Sequence, residues 1–385
     1  MAKDGFKIFD SDTHVGPFVD VLDPYLSAEA KKKLADWEEF KTAHHKTGHL
    51  TYTKGQRKYP RQLGTAKAEE TPAGYMAGFT GPKRSRNPNP EGDTDPALRI
   101  ADMDFEGVDV NLTLPSGWFG TWTTGDDVAL EQAMYQAYHR WMDSYCAPYP
   151  NRLGGVILCC ARDVAGSVAE IEKWGKSPWA WGILVYAPYG SPLDHPDLEP
   201  IWKAAAVHDL SITLHTFTVM PPYAPGGLDN WENLWLQRSA AHPWCGMRNM
   251  ASLIGSGVMD RYPDIRIGTL EAGHGWLPFW MARIDEHYDT IRAALPPELK
   301  HKPSEYILSG RYFQSIEIPE GQALTQAVID LVGEGVLMYA SDYPHSESHF
   351  PESVELFMKW DMPDDLRRKI LWDNAVKFYA RAEVQ

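Results

Sequence analysis

The stretch Leu337-Met338-Tyr339-Ala340-Ser341-Asp342-Tyr343-Pro344-His345 runs from apolar residues into a carboxylate and then turns through Pro into a His. It reads as a short strand that presents hard metal donors at its C-terminal edge. At the other end of the chain, Lys7-Ile8-Phe9-Asp10-Ser11-Asp12-Thr13-His14 has the same character. Asp12 and His14 stand two residues apart, and the period-two alternation of a strand puts both on one face. Asp12 and Asp342 are 330 positions apart. A fold that sets its first and last strands side by side is a closed barrel, and strands alternating with helices close it as a (β/α)8 barrel with its active site at the C-terminal rim.

The intervening sequence supplies the other strands. Apolar runs at Val108 to Leu114, Leu153 to Cys159, Gly182 to Tyr186, Ser211 to His215, Ile265 to Leu270, Tyr312 to Ile318 and Gly335 to Ala340 join Lys7 to Phe9 as eight candidates. Helical periodicity at Ala129 to Cys146, Val164 to Trp174, Pro200 to His208 and Trp276 to Leu295 falls between them. An open nucleotide-binding sheet would carry a Gly-rich loop after its first strand, whereas Asp10 to Gly16 carries carboxylates and a His.

At 385 residues the chain exceeds the ~250 typical of such barrels. The surplus is expected as a rim insertion at about residues 30–97, too poor in aliphatics to bury a core of its own, so residues 1–385 read as one domain. A net charge of −15 argues against nucleic acid or an anionic membrane as partner; the basic run Lys54 to Arg61 reads as a solvated loop. Four cysteines without paired spacing, and no apolar run near the ~20 residues a span needs, point to a cytoplasmic protein.

Asp12-x-His14, the strand-end His of Ile212-Thr213-Leu214-His215, and Ser341-Asp342-Tyr343-Pro344-His345 together resemble the amidohydrolase superfamily. The similarity extends through Arg99 to Asp109, Asp260 to Ile267 and Asp373 to Tyr379, and it is strongest to the amidohydrolase-related branch that includes metal-dependent decarboxylases. The resemblance implies that Asp12, His14, His215 and Asp342 hold a divalent Zn, Mn or Fe ion, and that Asp342 also moves the proton of the attacking water. The residues themselves allow blander readings, a cap for Asp12 and a core His for His215; the four together outweigh these.

One place departs from the decarboxylase pattern, which has a His followed three positions later by a Glu. Here Leu270-Glu271-Ala272-Gly273-His274 exchanges the two types. Glu271 reads as a ligand, a proton carrier or a holder of a ligating His, and His274 as a catalytic or metal residue. His274 with His345, and with Glu347 as a weaker candidate, would complete a second ion position. Trp118, Phe119, Tyr186, Phe217 and Trp276 are expected to wall the pocket, with Arg248 facing a substrate carboxylate.

The expected activity is metal-dependent hydrolysis or decarboxylation of a small carboxylate or amide. Two alternatives are a dinuclear Fe or Mn/Fe enzyme that hydroxylates a small aliphatic acid with O2, which resembles the aminoisobutyrate hydroxylase type, and a metal-binding partner subunit without activity. The expected partners are a small-molecule substrate and a second chain, identical or related.

Overall fold

The computed structural model describes residues 3–43, 48, 50–52, 94–188, 191–215, 234–345 and 348–384, with the backbone alone at 234–238. Ten strands occur among them: β1 Phe9–Val15, β2 Lys41–Ala43, β3 Leu50–Tyr52, β4 Val110–Pro115, β5 Leu153–Cys160, β6 Ala180–Tyr186, β7 Ser211–His215, β8 Ile267–Leu270, β9 Tyr312–Ser315 and β10 Leu337–Met338. All but β2 and β3 form one parallel sheet in the order β1-β4-β5-β6-β7-β8-β9-β10.

The sheet closes on itself by backbone bonds between β1 and the segment after β10. Ser11 N–H donates to Tyr339 O at 3.0 Å, Asp342 N–H to Asp12 O at 3.1 Å and His14 N–H to Tyr343 O at 2.7 Å. The (β/α)8 barrel is therefore observed, and its seam runs between the two stretches that carry the metal-type residues. Every residue of β5 is buried, as expected of a parallel strand covered by helices outside and by neighbouring side chains inside. Gly154 in β5 is required by close approach, since a Cβ there would lie 2.2 Å from the Trp181 indole.

The helices begin where the sequence supplies caps. Asp127 accepts from Leu130 N–H at 2.9 Å at the head of Val128–Cys146, and Asp163 accepts from Gly166 N–H at 3.0 Å at the head of Val164–Trp174. Helix Pro96–Glu106 ends on Gly107 in the left-handed region, φ 96°.

Most of the expected insertion at 30–97 lies outside the described residues. Its described parts include the antiparallel pair β2–β3 and the turn around Trp37. The rings of Trp37 and Tyr52 pack on Trp122 at 5.0 and 5.4 Å between centroids, against the segment that follows β4.

Candidate metal centre

β1 reaches further than its apolar run suggests and carries Asp12 and His14 within the strand, fully buried. Its pairing with β4 slips by one residue between Asp10 and Thr13. Such a bulge re-aims side chains, and its result here is that Asp10 and Asp12 serve different sites. Asp10 lines a small cavity with Asp102, Glu106 and Asn111, whereas Asp12 faces the histidines at the barrel mouth.

His14 Nε2 lies 3.6 Å from Asp12 Oδ1, 3.2 Å from Asp342 Oδ1 and 3.8 Å from Glu271 Oε2. His215 Nε2 at the end of β7 lies 3.7 Å from Asp12 Oδ1 and 3.0 Å from Glu271 Oε2. Two overlapping donor groups result, Asp12/His14/His215 and His14/Glu271/Asp342/His345, each with ligand atoms within 4.8 Å of one another. Glu271 and Asp342 both hold non-glycine backbone in the left-handed region, at φ 46° and 60°. Strain of this kind persists where the surroundings over-determine it, commonly at functional sites.

Burial holds the His14 imidazole well below its usual range, reinforced by His345 and His215, so the ring is neutral and able to ligate. Burial also pushes the Asp12 carboxyl well above its usual range, with Asp342 and Glu271 adding repulsion. For Glu271 burial and Asp342 act upward, but His242 and His215 outweigh them and keep the carboxyl below its ordinary value. Carboxylates crowded with imidazoles in a buried mouth fit a divalent ion, which would relieve the repulsion among the carboxylates. Asp12 Oδ1 is buried and receives no hydrogen bond among the described residues, as a ligand atom would be left.

Of the other residues picked out from sequence, His345 joins the centre. Its Nδ1 is 2.7 Å from Asp342 Oδ1, and its ring stacks on that of His14 at 4.0 Å. His274 does not join. Its Nε2 meets Thr325 Oγ1 at 2.8 Å, and its Nδ1 meets Glu317 N–H at 3.1 Å and Glu320 Oε2 at 2.9 Å, so both ring nitrogens are committed away from the donor groups. The metal and catalytic roles expected of His274 are corrected accordingly. The cause is the turn after β8, where positive φ at both Glu271 and Gly273 directs His274 toward helix Gly321–Val332.

Two expected pocket walls are also corrected. Phe119 packs on Tyr138 and Tyr186 on Tyr135, so both rings are buried against helix Val128–Cys146. Trp118 is half-buried against Phe119 and Trp122, and Trp276 donates to Ala272 O at 2.7 Å. Arg248 is half-buried within helix Leu234–Gly255; Phe217 and Glu347 lie outside the described residues. Sequence reasoning missed His242, whose Nδ1 lies 3.4 Å from Glu271 Oε1. It sits in a helix, and its one signal was the adjacent Pro243 within that helix.

The amidohydrolase family model matches residues 12–381. A gamma-resorcylate decarboxylase from a Polaromonas species is 25% identical over 245 residues, covering 60% of this chain and 72% of that protein. The 5-carboxyvanillate decarboxylase of Novosphingobium aromaticivorans, solved with manganese and 4-hydroxy-3-methoxy-5-nitrobenzoic acid, superposes with TM-score 0.67 at 19% identity, covering 98% of this chain and 97% of that one. An amidohydrolase from Mycobacterium avium subsp. paratuberculosis gives TM-score 0.70 at 17% identity, covering 97% and 98%. The barrel, the placement of Asp12, His14, His215 and Asp342 at its mouth, and a family match spanning nearly the whole chain lead to one assignment: this protein belongs to the amidohydrolase family and is an enzyme of the hydrolase or decarboxylase kind.

Proposed function

We propose that this enzyme uses a divalent ion held by Asp12, His14, His215 and Asp342 to decarboxylate or hydrolyse a small carboxylate-bearing molecule. The observation that carries this reading is the convergence of carboxylate oxygens and imidazole nitrogens on the barrel mouth. Decarboxylation is favoured over hydrolysis by the gamma-resorcylate and 5-carboxyvanillate relatives.

When bound, the ion supplies a Lewis acid that fixes a substrate oxygen and draws electron density from the reacting carbon. The chain's own groups handle protons. Asp342 Oδ1 faces His345 Nδ1, and the His345 side chain is 27% exposed, so this pair can take a proton at the centre and pass it to solvent. Glu271 stays ionised and is paired with His242 on one oxygen and His215 on the other. In decarboxylation the C–C bond breaks, carbon dioxide leaves, and the electron pair left on carbon collects a proton; His242, beside Glu271, is the proposed donor.

A second reading is favoured by one arrangement. Asp342 Oδ1 stands between His14 and His345, and the two oxygens of Glu271 face His215 and His242. Two carboxylates set between two pairs of imidazoles supply donors enough for two ions, and an iron or manganese/iron pair there would support O2-dependent hydroxylation. Elemental analysis with a substrate screen separates the readings. One ion per chain and carbon dioxide release from small acids support the first; two redox-active ions, reduced to one in His242→Ala and His345→Ala, with O2 uptake, support the second. Protein that takes up no divalent ion rejects both.

A further inference from the structure

We infer that Asp10 is a positioning residue for Asp342, holding from outside the mouth the turn that presents that carboxylate to the centre. The inference rests on the metal-dependent reading above and assigns a role to a residue that does not itself reach the donor groups.

Asp342 stands in the left-handed region at φ 60°, a conformation uncommon outside glycine and one that Asp tolerates better than most residues. Its neighbours hold it there. Asp10 Oδ1 accepts from Ser341 N–H at 2.9 Å, and Asp10 Oδ2 accepts from Ser341 Oγ–H at 2.5 Å. Ser341 Oγ in turn accepts from Tyr343 N–H at 3.1 Å, so one carboxylate and one hydroxyl lock the backbone on both sides of Asp342. The Asp342 N–H completes the turn by donating to Asp12 O at 3.1 Å.

Asp10 is 1% exposed, and each of its oxygens accepts from Ser341, with the Asp12 backbone as a further partner. The one-residue bulge in β1 makes this possible, because it turns Asp10 toward Ser341 while leaving Asp12 and His14 at the mouth. A bidentate contact of this kind fixes more than distance. It sets the rotation of the Ser341–Asp342 peptide and hence the direction of the Asp342 side chain. Groups that orient a ligand are typically worth 10–100-fold in metal affinity.

The test is titration of metal-stripped protein with Mn2+ by calorimetry, at a temperature well below each variant's melting point. Wild type, Asp10→Asn, Ser341→Ala and the control His139→Gln are compared, the last removing a buried hydrogen-bonding side chain of helix Val128–Cys146 that is not in either donor group. Asp10→Asn keeps an acceptor for Ser341 N–H but presents an NH2 to the hydroxyl. We expect Mn2+ affinity to fall roughly 10-fold or more in Asp10→Asn and in Ser341→Ala and to hold in His139→Gln, although all three lose melting temperature. Restoration of affinity in Asp10→Glu relative to Asp10→Asn would add support. Folded Asp10→Asn and Ser341→Ala that bind Mn2+ as tightly as wild type overturn the inference and leave the metal reading standing. Wild type that binds no divalent ion overturns that reading and this inference with it.

Discussion

Replacing His274 with Ala separates a structural role from a metal role more sharply than any other single change. The substitution removes the acceptor of the partly buried Glu317 N–H and the partner of Thr325 Oγ1, which keeps its own bond to Gly321 O at 3.0 Å. An orphaned donor at this partly buried place costs about 1 kcal/mol, the low end for a buried group, and the lost ring bond about 0.5–1.5 kcal/mol more. The space left by a fully buried ring raises the total to roughly 2–5 kcal/mol, a fall of about 2–6 °C in melting temperature for a chain of 385 residues, at ~2.1 cal/mol/K of unfolding entropy per residue. The assay is a thermal melt of wild type and variant, each with metal and after stripping, beside elemental analysis. The deficit should be the same with and without metal, and ion content should be unchanged. Loss of one ion per chain, or a stability deficit that vanishes in stripped protein, would refute the placement of His274 in the support beneath Glu271.

His242→Ala should move the acidic limb of the pH–rate profile upward, because His242 helps hold the Glu271 carboxyl below its ordinary value; an unmoved limb removes His242 from the centre. His139 is buried neutral, its Nε2 accepting from Leu158 N–H at 2.8 Å and its Nδ1 meeting Glu170 Oε2 at 2.7 Å. Burial depresses its pKa in the fold, so its contribution is intact above about pH 6.5 and is lost as pH falls from there through the folded value. Wild type should therefore lose stability between pH 7 and 5 more steeply than His139→Gln, by up to about 1.4 kcal/mol per pH unit, in urea melts across that range. Gly154→Ala should destabilise by about 1–3 kcal/mol or more, because its Cβ would meet the Trp181 indole at 2.2 Å; an unchanged denaturation midpoint would mean that the indole yields freely.

The strands were legible because parallel barrel strands are covered on both faces and so stand out as short apolar runs; β5 and β7 lie where those runs fall. Asp12 and His14 were legible because period two survives between them. The bulge that turns Asp10 elsewhere was not, since nothing in Asp10-Ser11-Asp12 distinguishes a bulged strand from a regular one. His274 was misread for a related reason: a His three residues past a strand end looks like rim chemistry until the backbone's positive φ values are known. His242 reaches the centre from a helix, where no strand-end pattern marks it.

The seam of the barrel carries a consequence for how the protein is made. β1 is completed on one side only by backbone bonds from Tyr339, Asp342 and Tyr343, so during synthesis the N-terminal strand must wait for the far end of the chain. At ~5–20 residues per second, the ribosome needs on the order of 15–65 s to deliver that partner after His14 has been made. Through that interval Phe9 and Val15, both wholly buried in the finished fold, lack one neighbour. The His14/Glu271/Asp342/His345 group cannot gather until the last strand arrives, and an ion that binds it then fastens the two ends of the chain together. Loading and closure become a single late event, and any ion bound with dissociation constant Kd stabilises the closed barrel by RT ln(1 + [ion]/Kd).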